Sequence, residues 1–97
     1  MVSNAREMRE LLESDELLVM PAAFNALSAQ ICEQVGFRAV FAAGQAIVNH
    51  LFGLPDYGFL NLTDMAMIVR SMTRATKIPV FVDADTGYGT AVHVLHA

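Results

Sequence analysis

The chain has 97 residues, a formal net charge of −4 and a hydrophobic content of 55%. This length suffices for one small domain, and the six scattered Lys and Arg residues argue against the clustered positive surface of a nucleic-acid-binding protein. Every apolar run falls short of the ~20 residues of a membrane-spanning helix. No secretory signal pattern is seen, and the single cysteine, Cys32, cannot form an internal disulfide. We therefore expect a cytoplasmic protein without a nucleic-acid or membrane partner.

The first elements predicted along the chain are a helix and a strand. Residues 4–13 have the apolar spacing of an amphipathic helix, and Asn4 with Glu7 resembles a capping box. Residues 17–20, with the sequence Leu-Leu-Val-Met, form a continuous apolar run between acidic residues and a proline. Such a run is typical of a strand that is buried on both faces.

A second helix is predicted from Asn25, its N-cap, to about Val35. Leu27, Ile31 and Val35 recur at intervals of four residues, so they fall on one face of this helix. Gly36 follows at the position where a left-handed C-terminal cap belongs.

The second half of the chain continues the alternation of strands and helices. A strand is predicted at residues 38–42, followed by a long connection at residues 45–62 that either is functional or contains a short helix. Thr63 is the predicted N-cap of the next helix, the third strand is predicted at residues 78–82, and a last helix begins near Thr90.

This order of elements predicts an α/β fold with a parallel sheet and right-handed crossovers. Three parallel strands leave two long apolar edges open, which natural sheets avoid. A (β/α)8 TIM barrel takes about 250 residues. We therefore expect residues 1–97 to be the N-terminal portion of a single, truncated (β/α)8 barrel domain.

Two acidic residues follow the third strand and precede a glycine-rich loop. Because side chains alternate along a strand, Asp83 and Asp85 are expected to lie on the same side of it. Two carboxylates at a strand end suit a hard cation such as Mg²⁺, although one of them could instead cap a helix. Gly44 ends the second strand, either as a tight strand exit or where the backbone closely approaches an anion. Asp56 lies in the long connection, where aspartate also commonly forms turns.

Three segments together resemble the isocitrate lyase/phosphoenolpyruvate mutase superfamily. They are Pro-Ala-Ala-Phe-Asn-Ala-Leu-Ser-Ala at residues 21–29, Gly-Leu-Pro-Asp at residues 53–56, and Val-Asp-Ala-Asp-Thr-Gly-Tyr-Gly at residues 82–89. The chain is most similar to the branch that contains methylisocitrate lyase, dimethylmalate lyase and oxaloacetate decarboxylase-like proteins. The resemblance implies a (β/α)8 barrel with a Mg²⁺ or Mn²⁺ site, a small carboxylic acid as substrate, and a homo-oligomer, a tetramer in the family.

The resemblance also implies roles for individual residues. Asp83 would contact the metal directly and help to bind the substrate. Asp85, which also belongs to the metal site, and Asp56 would hold the water ligands of the metal or the substrate and take part in catalysis. The segment Ala43, Gly44 and Gln45 would bind a substrate carboxylate or oxyanion through its backbone amides. Many family members have Ser or Thr where this chain has Ala43, and the family's catalytic cysteine motif lies in a later part of its sequence.

These features lead to a first functional hypothesis and two alternatives. The first is a Mg²⁺-dependent lyase that cleaves a C–C bond of a small 2-hydroxy or 2-oxo carboxylic acid through an enolate. One alternative is P–C chemistry of the phosphoenolpyruvate mutase type. The other is a catalytically inactive fragment that acts only by association with itself or with another chain.

Overall fold

A computed structural model describes residues 3–97 of the chain. The elements are α1 (Asn4–Glu13), β1 (Ala22–Ala23), α2 (Ala26–Val35), β2 (Val40–Ala42), α3 (Gly44–Ile47), a π-helical turn (Val48–Phe52), α4 (Leu62–Ala75), β3 (Val80–Val82) and α5 (Ala91–His96). The predicted alternation of strands and helices is confirmed, although each strand is shorter than predicted. None of the helices described in residues 3–97 is long and apolar enough to cross a membrane.

The three strands form one parallel sheet in the order β1-β2-β3. Their last residues, Ala23, Ala42 and Val82, are aligned with one another across the sheet. The carboxyl ends of all three strands therefore meet at one edge, and the loops that follow them start side by side. This arrangement confirms the predicted α/β class, and it brings together segments that are distant in the sequence.

The first strand lies later in the chain than predicted. Residues 17–20 do not pair with another strand, and Leu17 is 91% exposed. The ladder instead uses Ala22 and Ala23, preceded by the Pro21 carbonyl, which accepts a hydrogen bond from the Phe41 N–H. The reason is that β2 begins only at Val40. The chain before that residue is still returning from α2, so no strand runs beside residues 17–20.

Small residues allow the helices to pack closely against the sheet. Helix α2 contacts α4 and β1, and α4 also contacts β3. The buried cluster consists of Ala23, Ala29, Val40, Ala42, Ile47, Met65, Ile68 and Met72. Because three of these side chains are single methyl groups, the backbones of α2 and the first two strands can approach one another. Met72, which is completely buried, fills the larger space beneath α4.

The larger apolar face of α2 lies on the outside of the structure. Leu27, Ile31 and Val35 share one face, as their spacing predicts, but they are 63%, 51% and 69% exposed. The buried side of α2 is instead marked by Ala29, next to the half-buried Cys32. The helix thus packs on the sheet with its small residues and leaves the larger ones open to solvent.

The helix caps are partly those predicted. Asn25 caps α2 as expected, through a side-chain oxygen that accepts the N–H hydrogen bond of the third helical residue. Helix α1 is capped by Ser3 rather than Asn4, and α4 by Asn61 rather than Thr63. In both corrected cases the polar residue one or two positions earlier has the extended backbone that an N-cap requires.

A single carboxylate joins the end of α2 to the beginning of β3. Glu33 Oε1 accepts hydrogen bonds from the N–H groups of Lys77, at 2.7 Å, and Ile78, at 3.3 Å. These residues are more than 40 positions away in the sequence. The contact therefore helps to set where the third strand enters the sheet.

Candidate active site

A small cleft of about 80 Å³ opens at the carboxyl-terminal edge of the sheet. Asp56, Asp83, Asp85 and Gly44, all of which are candidate site residues from the sequence, line this cleft. The remaining lining residues are Val48, Gly58, Phe59, Leu60, Met65 and Tyr88. Three carboxylates from two loops thus share one opening with several apolar side chains.

A turn, rather than the pleat of a strand, brings Asp83 and Asp85 together. Strand β3 ends at Val82, and Asp85 has a left-handed backbone with φ of 49°. The Asp85 N–H donates a hydrogen bond of 2.9 Å to Asp83 Oδ1. Both side chains line the same cleft, as predicted, but the predicted cause was wrong: a turn after the strand, and not alternation along the strand, places them there.

Gly44 lies directly beside the first of these carboxylates. A Cβ atom built on Gly44 would be 3.4 Å from Asp83 Oδ2. The chain has six glycines, and Gly44 is the one whose φ is not positive. The backbone conformation of the strand exit therefore does not require glycine here. What the missing side chain provides is open space next to a carboxylate oxygen.

The residues on either side of Gly44 are placed differently. Ala43 is the N-cap of α3 and makes no side-chain cap hydrogen bond. The Gln45 side chain is exposed and does not line the cleft. Since the first N–H groups of a helix have no partner within it, the contribution available from this segment to a ligand is its backbone.

The long connection after β2 begins as a helix and then becomes a loop over the cleft. Helix α3 and the π-helical turn occupy its first part, which confirms a short helix within the connection. The loop that follows carries Asp56 and then Gly58. A Cβ atom on Gly58 would lie 3.9 Å from Asp85 Oδ2. The loop backbone therefore passes close to the second carboxylate of the glycine-rich motif.

Tyr88 is a site residue that the sequence did not indicate. Its hydroxyl donates a hydrogen bond of 3.3 Å to the backbone carbonyl of Asp83, and its φ is 66°. Burial, together with the negative charges of Asp83 and Asp85, raises the pKa of the Tyr88 phenol above 10.0. The Gly-Tyr-Gly segment is present in the sequence, but residue identity alone does not predict that the Tyr88 ring turns back toward the preceding strand.

The cleft carries negative charge without a basic neighbour. Among residues 3–97, no Lys or Arg lines the cleft. The ion pairs of these residues lie outside the cleft and join Arg6 to Glu10 and Arg38 to Glu16. No three His, Cys, Asp or Glu side chains of these residues converge closely enough to ligate one ion together. Mg²⁺ commonly keeps several waters and uses only one or two carboxylates. The hard oxygen donors of this cleft fit that mode of binding.

Comparison with known proteins shows the family of the chain. Residues 8–97 match the family model described as phosphoenolpyruvate phosphomutase. The 2-methylisocitrate lyase of Aeropyrum pernix is 40% identical over 87 residues, which are 90% of this chain and 28% of that protein. The chain therefore belongs to the phosphoenolpyruvate mutase/isocitrate lyase superfamily, as the three sequence segments predict.

Solved structures agree with this assignment. The crystal structure of 2,3-dimethylmalate lyase matches with a TM-score of 0.88 and 33% identity, and the matched region is 99% of this chain and 35% of the lyase chain. That of phosphonopyruvate hydrolase in complex with oxalate and Mg²⁺ has a TM-score of 0.90 and 29% identity, with coverages of 99% and 34%. The chain thus spans about a third of the length of these relatives, and its sheet corresponds to the N-terminal part of their barrel.

Proposed function

We propose that this chain forms the N-terminal portion of a single (β/α)8 barrel domain and carries the metal-binding part of its active site. The reaction proposed is Mg²⁺-dependent cleavage of a carbon–carbon bond in a small 2-hydroxy or 2-oxo carboxylic acid. The observation that carries this proposal is that Asp56, Asp83 and Asp85 line one cleft at the carboxyl ends of the strands, where one or two of them suffice for an ion that keeps its waters. Active sites of α/β barrels lie at this end, and relatives are named 2-methylisocitrate lyase and 2,3-dimethylmalate lyase.

The three aspartates and the backbone at Gly44 and Gln45 have separate roles in this proposal. Asp83 binds Mg²⁺ or Mn²⁺ directly, and Asp85 and Asp56 bind water molecules of the ion or the substrate. When bound, the ion supplies positive charge next to the oxygen that becomes negative as the bond breaks and the enolate forms. The backbone N–H groups of Gly44 and Gln45 hold a substrate carboxylate, for which the absence of a side chain on Gly44 leaves room.

The experiment is a cleavage assay with 2-methylisocitrate and 2,3-dimethylmalate, with Mg²⁺ present or removed by EDTA. We expect activity to disappear with EDTA and to return with added Mg²⁺. Replacing a residue that only supports a metal ligand costs about 10–100-fold in activity. Because Asp83 is proposed to bind the ion itself, Asp83→Asn should reduce turnover by more than this. Asp15→Asn removes the same charge from an exposed position outside the cleft and should leave turnover unchanged. Turnover that persists in EDTA would contradict the proposed metal dependence.

A second candidate reaction uses the same cleft for P–C chemistry. The family model described as phosphoenolpyruvate phosphomutase and the similarity to phosphonopyruvate hydrolase favour it. The metal requirement is the same in both cases, so only the substrate separates them. Interconversion of phosphoenolpyruvate and phosphonopyruvate by the chain, without cleavage of the two hydroxy acids, would select this alternative.

A third candidate is a catalytically inactive fragment that acts only by association. It is favoured by the exposed apolar face of α2, formed by Leu27, Ile31 and Val35, and by the edges of β1 and β3 that pair with no strand among residues 3–97. The proposed partners are further copies of the chain, in a reducing cytoplasm where Cys32 stays a thiol. Sedimentation velocity combined with the cleavage assay tests this candidate, because an active monomer would exclude it.

A further inference from the structure

We propose that Tyr88 is a positioning residue that holds the two carboxylates of the glycine-rich motif, Asp83 and Asp85, in the arrangement that binds a divalent cation. The proposal rests on the function proposed above, because it assigns a further residue to the same site. Tyr88 itself would not ligate the ion. It would act on the ion through the backbone that carries the two aspartates.

The Tyr88 side chain is attached to the structure at two points. Its ring packs against the buried core cluster beneath α4, and its hydroxyl donates a hydrogen bond to the carbonyl of Asp83. The ring also lines both the cleft and a larger apolar groove of about 580 Å³ beside α4 and α5. Tyr88 therefore stands between the two cavities and connects the loop to the end of β3.

The loop that Tyr88 closes has an unfavourable backbone for its sequence. Asp85 and Tyr88 are the non-glycine residues with positive φ among residues 3–97. Residues with a side chain seldom adopt this conformation, so it persists only where surrounding contacts impose it. The contacts here are the Asp85 N–H bond to Asp83 Oδ1, the Gly87 N–H bond to the Ala84 carbonyl, and the phenol bond.

The loop conformation decides which carboxylate oxygen is free. Asp83 Oδ1 is occupied by the Asp85 N–H, while Oδ2 faces the open space beside Gly44. Because Tyr88 binds the carbonyl of Asp83, it restrains the backbone of the residue whose side chain faces the cleft. If that restraint is lost, the turn can open, and both carboxylates can leave the cleft.

The test uses the 97-residue chain and two measurements, Mn²⁺ affinity by calorimetry and amide hydrogen exchange without metal. Tyr88→Phe removes only the hydroxyl, whereas Tyr88→Asn keeps a residue that tolerates left-handed backbone and removes the ring. Tyr57→Phe is the matched control, because Tyr57 is 81% exposed and does not line the cleft. Asp83→Asn reports whether the ion binds at this site at all.

We expect Tyr88→Phe to weaken Mn²⁺ binding by about threefold to tenfold, the effect of one neutral hydrogen bond, and Tyr88→Asn to weaken it further. Amide exchange at Asp85 and Gly87 should accelerate in the same order, while exchange in α4 stays unchanged. A purely structural role would instead accelerate exchange throughout the chain.

The inference would be overturned if amide exchange at Asp85 and Gly87 stayed at the wild-type rate in both Tyr88 variants. It would also be overturned if both Tyr88 variants bound Mn²⁺ with wild-type affinity while Asp83→Asn abolished Mn²⁺ binding. A wild-type chain without Mn²⁺ binding would instead contradict the proposed metal function. In that case the exchange measurement would still decide whether Tyr88 holds the turn.

Discussion

Replacing Gly44 with alanine separates the contribution of this residue to the fold from its contribution to the cleft. The added methyl group would be 3.4 Å from Asp83 Oδ2 and 3.9 Å from Asp83 Cγ, which are ordinary contact distances. The backbone at Gly44 is not left-handed. Alanine can therefore be accommodated without strain, but only in the space that a ligand of the carboxylate would use.

The structure gives opposite expectations for stability and for binding. A glycine-to-alanine change in a compatible conformation raises the free energy of unfolding by about 0.4–1 kcal/mol. Gly44→Ala should therefore be as stable as the wild type or more stable by up to about 1 kcal/mol. Loss of an interaction with a charged oxygen costs about 1.5–3 kcal/mol. The affinity for Mn²⁺ should therefore fall by about tenfold to 100-fold.

Urea unfolding followed by circular dichroism measures the first quantity, and calorimetric titration with Mn²⁺ measures the second. Gly53→Ala is the reverse control. Gly53 has a φ of 64° with nothing within 4 Å of an added Cβ, so alanine there should lower the free energy of unfolding by about 1–2 kcal/mol and leave Mn²⁺ affinity unchanged. Wild-type Mn²⁺ affinity in Gly44→Ala would refute the reasoning, because the methyl group would then not occupy ligand space.

Three further predictions concern single side chains. In Tyr57→Phe, the tyrosinate absorbance reports Tyr88 alone, and its midpoint should lie above 10.0 because burial and the neighbouring aspartates raise the pKa of the phenol. The unfolded chain then releases this proton first, so the free energy of unfolding should fall as the pH rises above 10, and Tyr88→Phe should remove that fall. Glu33→Ala should lower the free energy of unfolding in urea by about 1–3 kcal/mol, and Glu33→Gln, which keeps an acceptor oxygen, by less. Met72→Ala should lower it by about 2–5 kcal/mol, since this side chain is completely buried; a smaller loss would mean that the core closes around the cavity.

The parts of the fold that local chemistry determines were predictable. Alternating apolar runs and helical spacing are sufficient to place the helices α1, α2 and α4 within one or two residues. Gly36 ends α2 with a left-handed φ of 109°, as expected from a glycine after the last apolar residue of a helix. Of the candidate site residues from the sequence, Asp56, Asp83, Asp85 and Gly44 lie around one cleft, whereas Ala43 and Gln45 do not line it.

Other features depend on neighbours that are distant in the sequence. The position of β1 follows from the residue at which β2 begins, and residues 17–20 have the composition of a strand without a partner beside them. The exposed face of α2 follows from which side of the helix meets the alanines of the sheet. Tyr88 was missed because its left-handed backbone and its bond to Asp83 exist only in the folded loop.

The amino-acid sequence by itself determined the alternation of strands and helices and the acidic residues that follow the third strand, because these depend on short-range spacing and residue type. The family followed from the three segments that resemble its members. Only the tertiary structure decided which oxygen of Asp83 accepts the Asp85 N–H and which oxygen faces the space beside Gly44. Parallel strands bring their carboxyl ends to one edge, so Gly44 and Asp83 are neighbours because β2 pairs with β3, although they are far apart along the chain. Asp56 joins them because the loop after the π-helical turn passes over the same edge.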